Sequence, residues 1–322
     1  MRGPRLLYRF LSNLIDTPAV VLIYHRVTNL PLDPQLLSVS PENFDNQIKF
    51  LKEKYLVMDI EEFSEIISNT KKVPKNTVVI TFDDGYADNL YEALPILEAH
   101  HAQALFYIST SLLDTKLEFW WDDLERVFLT GHTIPNQLAL DINNISYTFN
   151  TSNSDEKKET YNALHPLVKN CKTIDRDNAV KRIVNWSGLS REGRESHRML
   201  TTQELIKLSK SKSSVIGAHT HTHPKLSLGS FQEQMDDIAL SKRNLEKILN
   251  NKIEHFSYPF GSKEDYNAES VLVCKKLGFK MVCANYHNQV HRWHSKFELP
   301  RMLVRNWSLK EFKDKMNVFF KF

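Results

Sequence analysis

Residues 78–86 read VVITFDDGY, an apolar run that passes directly into two acidic residues and a glycine. The continuous apolar stretch predicts a strand buried on both faces, as in a parallel sheet covered by helices. Asp83 and Asp84 stand at the carboxyl end of this strand, and Gly85 permits a turn that would bring both carboxylates to one cavity. The alternative is an acid pair that only stabilises the start of the next helix.

Strand-like and helix-like segments alternate along most of the chain. Strands are predicted over residues 20–24, 78–82, 104–108, 215–216, 253–258 and 279–284. Helices are predicted over residues 41–51, 89–100, 231–250, 269–277 and 309–319. Ser40 is a plausible N-cap of the first helix, and Pro41 suits its first position. This order predicts an α/β fold in which parallel strands close into a distorted or partial (β/α) barrel, with the chemistry at the carboxyl ends of the strands.

Residues from about 115 to 200 interrupt the alternation. The segment opens with a helix that begins near Trp120 and Trp121, continues through a hairpin around Asn143-Asn144, and is charged and helical in pattern from 154 to 186. We interpret it as a mainly helical insertion in a single catalytic domain that spans residues 1–322. The two tryptophans either pack in the core or form a wall on which a sugar stacks.

Composition and charge exclude several classes of protein. A net charge of +3 gives no electrostatic argument for nucleic-acid binding. The three cysteines have no CxxC spacing, which excludes a cysteine-only zinc site and is typical of a reducing compartment. No apolar stretch reaches the roughly 18 residues needed to span a membrane.

The N-terminal residues 1–16 predict an amphipathic helix rather than a signal peptide, because arginines interrupt the apolar side chains. Such a helix either packs on the domain or touches a membrane surface through residues 2–15. We therefore expect a cytoplasmic protein, which in the second case is peripheral to the inner face of the membrane.

A dense group of histidines follows the apolar pair at 215–216. Residues 217–224 read GAHTHTHP, so His219 and His223 are four positions apart with His221 between them. A His-x-x-x-His pair with one carboxylate is a common set of three zinc ligands that leaves a position for water. The alternative is a histidine-rich surface loop. We expect His221 to point away from the other two and not to bind a metal.

Together, the acidic pair and the histidines resemble the signature of the polysaccharide deacetylase family, the NodB-homology carbohydrate esterases. The resemblance rests on TFDDG at 81–85 and HTHTHP at 219–224, and it extends over roughly residues 20–110 and 200–305. It implies the partial barrel of that family. It also implies that Asp83 is the general base, and that Asp84, His219 and His223 hold a divalent metal, with zinc expected before cobalt, nickel or iron.

Residues 255–261 read HFSYPFG and resemble the third motif of the family in its Tyr-Pro-Phe-Gly form. The resemblance implies that Tyr258, Pro259, Phe260 and Gly261 contact the substrate or supply a backbone amide to the oxyanion. The arginine that usually orients the base is absent from this motif. Arg301 is our candidate to replace it, and we group it with the substrate-binding residues.

Residues 24–27 read YHRV and resemble the opening segment of the branch that includes the deacetylases of poly-N-acetylglucosamine biofilm export. In that branch a histidine after the first strand takes the place of the general acid. His25 is therefore the candidate that protonates the leaving amine. A structural core histidine is the alternative.

These features predict a metal-dependent hydrolase that removes an N-acetyl group from an amino sugar of a glycan or glycan precursor. The expected substrate is an N-acetylated sugar, lipid-linked or nucleotide-linked, used in cell-surface polysaccharide or lipopolysaccharide biosynthesis. A deformylase or an O-acetyl esterase acting on a lipid-linked sugar would need the same metal and base. A non-catalytic carbohydrate-binding module is the third candidate, but it predicts lost metal ligands, and all of them are present.

Overall fold

A computed structural model describes residues 11–321. Most of the helix predicted over residues 1–16 lies outside this range, and residues 11–15 are helical. None of the helices in the described range is long and apolar enough to cross a bilayer.

The strands, in chain order, are β1 Val20–Tyr24, β2 Arg26–Val27, β3 Ser38–Val39, β4 Leu56–Val57, β5 Thr77–Phe82, β6 Ala104–Ile108, β7 Gln137–Ile142, β8 Ile145–Asn150, β9 Ser214–Ala218, β10 His255–Ser257, β11 Met281–Cys283 and β12 Met302–Leu303. The helices are α1 Pro41–Lys54, α2 Ile60–Ser68, α3 Leu94–Ala99, α4 Trp120–Leu129, α5 Ser154–Lys169, α6 Thr173–Ser187, α7 Thr202–Ser209, α8 Phe231–Leu249, α9 Ala268–Lys276 and α10 Leu309–Lys321.

Eight of the described strands form one curled parallel sheet with the order β11–β10–β9–β6–β5–β1–β12, and β4 lies beside β5. Every residue of β1, β5 and β6 is buried, as their continuous apolar sequences predict. The strands β11 and β12 form the two edges of this sheet. Leu299, shortly before β12, makes a parallel bridge to Cys283 of β11, while β12 pairs with β1. The segment before β12 therefore spans the gap between the two edges, and the predicted partial (β/α) barrel is confirmed.

The register brings the ends of four strands to one edge of the sheet. Phe82 pairs with Phe106, Ile108 pairs with Ala218, and Ala218 pairs with Phe256. The residues that follow β5 and β9 and the last residue of β10 therefore lie side by side. This edge is where the sequence places its acidic pair and its histidines.

The segment predicted as an insertion contains α4, the hairpin β7–β8, α5 and α6, which pack around a hydrophobic cluster of their own. Asn143 and Asn144 have φ of +51° and +64°, the conformation that a tight two-residue hairpin turn requires. Tyr86, from the loop after β5, and Phe260 also contact this cluster. The insertion thus packs directly over the edge of the sheet that carries the acidic pair.

Several elements differ from the sequence-based expectations. The strands predicted over 253–258 and 279–284 are shorter. The strands β2, β3, β4 and β12 were not predicted, since two-residue strands show no periodicity, and the helices α2 and α7 were not predicted either. The helix predicted over 89–100 consists of a π-helical turn, Asn89–Ala93, followed by α3. Pro95 explains the change, because it has no amide hydrogen to donate to the preceding turn.

Candidate active site

Both acidic residues after β5 face the same cavity because the regular alternation of side chains breaks at Asp84. The Asp83 N–H still donates to the Tyr24 carbonyl of β1 at 3.0 Å. Asp84 then has φ of +78° and Gly85 has φ of +92°. A residue with a Cβ rarely adopts this left-handed conformation, and such strain is concentrated at functional sites. Asp83 and Asp84 are buried and line a cavity of about 340 Å³.

Asp84, His219 and His223 form a group that could hold a metal ion, since one ligand atom from each lies within 4.8 Å of the others. The Nε2 atoms of His219 and His223 lie 3.5 Å and 3.3 Å from Asp84 Oδ1. Burial raises the pKa of Asp84, but hydrogen bonds from the two imidazoles outweigh it and keep the pKa far below its usual value. Two imidazoles and an ionised carboxylate are a donor set that fits zinc.

The His219 ring is oriented by Ser257, the last residue of β10. His219 Nδ1 lies 2.9 Å from the Ser257 carbonyl oxygen and 2.6 Å from Ser257 Oγ. A proton on Nδ1 that points at a backbone carbonyl leaves Nε2 as the ligating nitrogen, which is the usual arrangement behind a metal-bound imidazole. Sequence reasoning missed Ser257, although it lies inside the third motif.

His223 is held by aromatic rings instead. The rings of Trp121 and Phe260 contact it edge-on, with centroids 4.9 Å and 4.8 Å away. Burial lowers the pKa of His223 to about 4, so its imidazole is neutral at physiological pH and able to bind a metal. Its φ of +52° turns the side chain back toward Asp84.

His221 is separate from this group, as the sequence predicts. Its Nδ1 lies 2.8 Å from Thr110 Oγ1, and its backbone N–H donates to Asp237. The left-handed conformation of Thr220, with φ of +65°, directs consecutive side chains of the loop to different sides.

Asp83 forms a fully buried, two-point ion pair with Arg301. The Arg301 Nη1 and Nη2 atoms donate to the two Asp83 oxygens at 2.7 Å and 2.6 Å, and Nε donates to the Ala284 carbonyl. Burial raises the pKa of Asp83, but the guanidinium charge outweighs it, and the pKa lies below its usual value. Arg301 is absent from the residues that line the cavity, so it contacts the candidate base and not the substrate.

His25 follows β1 and lines the cavity together with the two aspartates. Burial lowers the pKa of His25, and the nearby carboxylates only partly oppose that effect. Its Nδ1 is buried and has no hydrogen-bond partner among residues 11–321. The structure thus brings His25 to the site, where a neutral imidazole can accept and return a proton.

The expected contact between Tyr258 and the substrate is wrong. The Tyr258 side chain is fully buried, stacks on Tyr266 with ring centroids 4.1 Å apart, and donates its hydroxyl to the Phe297 carbonyl at 3.0 Å. Its N–H donates to the Cys283 carbonyl. Because Ser257 faces the site, strand alternation turns Tyr258 to the opposite face of the sheet.

Phe260 lines the cavity, whereas Pro259 and Gly261 shape the loop around it. Phe260 has φ of +59°, and its N–H is not used in a backbone hydrogen bond within the described chain. Only glycine fits at position 261, because a Cβ there would lie 2.7 Å from the Asn285 nitrogen. The Phe260 N–H is thus the amide of this motif that is available to an oxyanion.

The insertion supplies one wall of the cavity. Trp121, His165 and Lys169 line it from the insertion, and further lining residues outside the insertion are Gln35, Leu37, Asn285, Leu303 and Arg305. Trp121 also donates its indole N–H to the Tyr86 hydroxyl at 2.9 Å and stacks on Phe119, so it both packs in the core and faces the cavity. No local sequence pattern identifies the other residues that line the cavity.

A second group with the spacing of metal ligands consists of Asp122, Glu125 and His197, all of which belong to the insertion. Arg194 Nη1 is 2.7 Å from Glu125 Oε1, and the Tyr86 hydroxyl donates to Asp122. Burial lowers the pKa of His197 to about 3, so this imidazole is neutral. Because arginine already balances the carboxylate charge, we interpret this group as a structural network.

Comparison with known proteins finds similarity to one family. The family model described as "Polysaccharide deacetylase" matches residues 70–175 and 181–282. YxkH of Bacillus subtilis strain 168, which carries the same family name, is 26% identical over 285 residues, covering 88% of this chain and 70% of that protein.

Two further relatives extend this similarity. The poly-β-1,6-N-acetyl-D-glucosamine N-deacetylase of Escherichia coli K12 is 31% identical over 97 residues, which are 30% of this chain and 14% of that protein. The structure of the deacetylase PplD of Streptococcus pyogenes, in complex with acetate, superimposes with a TM-score of 0.61 at 20% identity. It covers 94% of this chain and 99% of that chain, and at this identity it supports the fold alone.

Proposed function

The chain belongs to the polysaccharide deacetylase family, hydrolases of carbon–nitrogen bonds other than peptide bonds, and from this premise we propose that it is a metal-dependent N-deacetylase of an amino sugar. Its substrate is an N-acetylated sugar in a glycan or glycan precursor used for a cell-surface polysaccharide. One observation carries the proposal: Asp84, His219 and His223 converge within 4.8 Å beside Asp83, which is paired with Arg301.

The charge and position of each side chain in the site indicate its role in the reaction. When bound, a zinc ion held by Asp84, His219 and His223 would polarise the acetamide carbonyl and make a water molecule more acidic. Asp83 accepts the proton of the attacking water, since Arg301 keeps it ionised and fixes its orientation. Separate roles for two adjacent carboxylates follow from their different partners.

The remaining groups act on the developing charges. The Phe260 N–H donates to the oxygen of the acetamide as negative charge builds on it. His25 lines the same cavity and passes on to the leaving amine the proton that Asp83 takes from the water, so that acetate and a free amino sugar are released. The name of one relative supports an acetyl group, because it is an N-deacetylase of poly-N-acetylglucosamine.

We further propose that the protein works on a lipid-linked sugar at the cytoplasmic face of a membrane. Support comes from residues 11–15, where the side chains of Leu11, Leu14 and Ile15 are 49%, 69% and 65% exposed. Apolar side chains at the surface of an amphipathic helix favour burial in the lipid headgroup region. Co-sedimentation with anionic vesicles should fall in a Leu14→Glu/Ile15→Glu variant, and equal binding of both proteins would refute the contact.

The proposed site is tested by elemental analysis and acetate release on four proteins: wild type, Asp84→Asn, His223→Gln and His221→Gln. Each protein is prepared with excess zinc, desalted, and incubated with a panel of N-acetylated amino sugars and oligosaccharides. His221→Gln is the matched control, because it removes a neighbouring imidazole that contacts Thr110 instead of Asp84. We expect one metal ion per chain and acetate release in wild type and in His221→Gln, and loss of both in the other two variants.

The opposite outcomes separate the alternatives. Formate release, or acetate release only from O-acetyl esters, would replace the N-deacetylase with another deacylase that uses the same site. Sugar binding without bound metal in wild type would indicate a non-catalytic carbohydrate-binding module.

A further inference from the structure

The cavity carries two cationic side chains beyond the metal-binding group. Lys169 and Arg305 line it, and Asp83 and Asp84 are its lining carboxylates among the described residues. Asp83 is already paired with Arg301, and Asp84 faces the two imidazoles. Lys169 shares its charge with Asp265, so Arg305 is the lining cation that has no carboxylate partner among the described residues.

Lys169 is the last residue of α5 in the insertion, and its ammonium group packs on Phe260, a neighbour of the metal-binding group. Lys169 Nζ is 4.4 Å from the centroid of the Phe260 ring, whose edge contacts His223. Its carboxylate partner is Asp265, with Oδ1 at 3.0 Å. Asp265 also accepts hydrogen bonds from the backbone and hydroxyl of Ser262 through Oδ2, so its negative charge is shared with that loop.

Arg305 has no carboxylate partner within 4 Å among the residues that the structure describes. Its Nη1 donates to the backbone carbonyls of Gln35 and Leu36, which are neutral acceptors. The negative charge that acts on Arg305 is that of Asp33. The Asp33 carboxylate already accepts hydrogen bonds from the N–H groups of Leu37 and Ser38. A half-buried guanidinium held by carbonyls leaves donors for an anionic ligand, and its planar fork suits carboxylate and phosphate oxygens.

Two neutral side chains that can donate hydrogen bonds, His165 and Gln35, line the cavity together with these cations. His165 lies one turn before Lys169 on α5, so both side chains face the cavity. Burial lowers the pKa of His165 to about 4, and the imidazole is therefore neutral at physiological pH. Gln35, which donates to the Tyr161 hydroxyl at 2.6 Å, completes the wall between His165 and Arg305.

We propose that the substrate carries an anionic group, a carboxylate or a phosphate, close to the acetamido sugar, and that Arg305 and Lys169 bind it. This inference rests on the proposed deacetylase function and narrows its substrate class. Charge-assisted hydrogen bonds are the strongest polar contacts that a protein offers to a ligand, and a partly buried site makes them stronger. Specificity for that group would then come from Lys169 of the insertion together with Arg305 after β12.

The test compares neutral and anionic ligands on the zinc-loaded full chain. The ligands are N-acetylglucosamine, N-acetylglucosamine 1-phosphate and a 2-acetamido uronic acid. Dissociation constants are measured by calorimetry and kcat/KM by acetate release, for wild type, Arg305→Gln, Lys169→Gln and Lys172→Gln. Lys172 is the matched control, because it lies three residues after Lys169 and pairs with Glu233 outside this cavity.

We expect the wild type to bind at least one anionic ligand more tightly than the neutral sugar. Arg305→Gln should weaken that binding by about tenfold or more, and binding of the neutral sugar by about twofold at most. Preference for the phosphate or for the uronate identifies the source of the anion. A phosphate can also bind directly to a metal. The diagnostic result is therefore that Arg305→Gln weakens binding of the phosphate ligand whereas Lys172→Gln does not.

Equal binding of neutral and anionic ligands, or an equal effect of Arg305→Gln on both, would overturn the inference while leaving the deacetylase function intact. Absence of acetate release from every N-acetyl sugar would instead count against the proposed function. The binding measurement still decides the charge preference in that case.

Discussion

Replacing Arg301 with glutamine should lower the free energy of unfolding of the metal-free protein by about 3–5 kcal/mol. The size of this loss in unfolding free energy follows from the surroundings of Asp83. Asp83 is 3% exposed, Arg301 is 0% exposed, and two N–O distances of 2.7 Å and 2.6 Å join them. Without the guanidinium, Ser257 Oγ at 3.3 Å is the side-chain hydroxyl left to donate to the carboxylate. A buried charge without a counter-ion accounts for most of the loss.

The assay is urea unfolding at pH 7 in the presence of a chelator, followed by circular dichroism, on a double-mutant cycle. The four proteins are wild type, Arg301→Gln, Asp83→Asn and the double variant. Each single variant leaves one buried charge, whereas the double variant leaves a neutral amide pair. We therefore expect a coupling energy of about 1–3 kcal/mol between the two positions.

The control is Lys116→Gln, which removes a surface ion pair with Glu192 whose side chains are 77% and 64% exposed. Screening by water makes such a pair nearly neutral for stability, so the urea midpoint should not change. Additive losses in the cycle, with no coupling, would refute the conclusion that Arg301 stabilises Asp83 as a charge.

Three further predictions concern other parts of the molecule. Tyr86→Phe removes the hydroxyl between Trp121 and Asp122 and should cost about 1–3 kcal/mol in thermal unfolding without changing bound zinc; an unchanged melting temperature would contradict it. Burial raises the pKa of Glu204, but hydrogen bonds led by Arg198 hold it at about 2, below the usual 4.5. Its stabilising contribution is therefore present above pH 4.5 and is lost as the pH falls toward 2. Because water screens this partly exposed ion pair, Glu204→Gln should lower stability by only about 1 kcal/mol at pH 7 and by less at pH 3. His25→Gln should keep one metal ion per chain but lower kcat for acetate release by about a hundredfold or more, and full activity would exclude His25 as the acid.

The sequence was sufficient for the features that depend on neighbours along the chain. The apolar runs of β1, β5 and β6 predict strands buried on both faces, and all of their residues are buried. The Asn143-Asn144 pair predicts the hairpin turn, because its two residues tolerate positive φ. The acidic pair and the histidine cluster identified a candidate site, since metal chemistry restricts which residue types can supply the ligands.

The local sequence pattern gave the wrong prediction where a step of one residue changes the face of a strand. Tyr258 was expected in the site on the basis of its motif, but the alternation after Ser257 turns it into the core. Asp84 shows the reverse case, because its positive φ breaks the alternation and keeps it beside Asp83.

The amino-acid sequence alone was enough to identify the longer strands of the sheet, the hairpin and the residue types that could bind a metal. The tertiary structure alone decided which distant side chains complete the site. Arg301 reaches Asp83 across 218 residues of chain, and α5 of the insertion brings His165 and Lys169 to the same cavity. No local signal encodes these contacts, because they arise only when the sheet curls, the segment before β12 spans its two edges, and the insertion packs over the carboxyl ends of the strands.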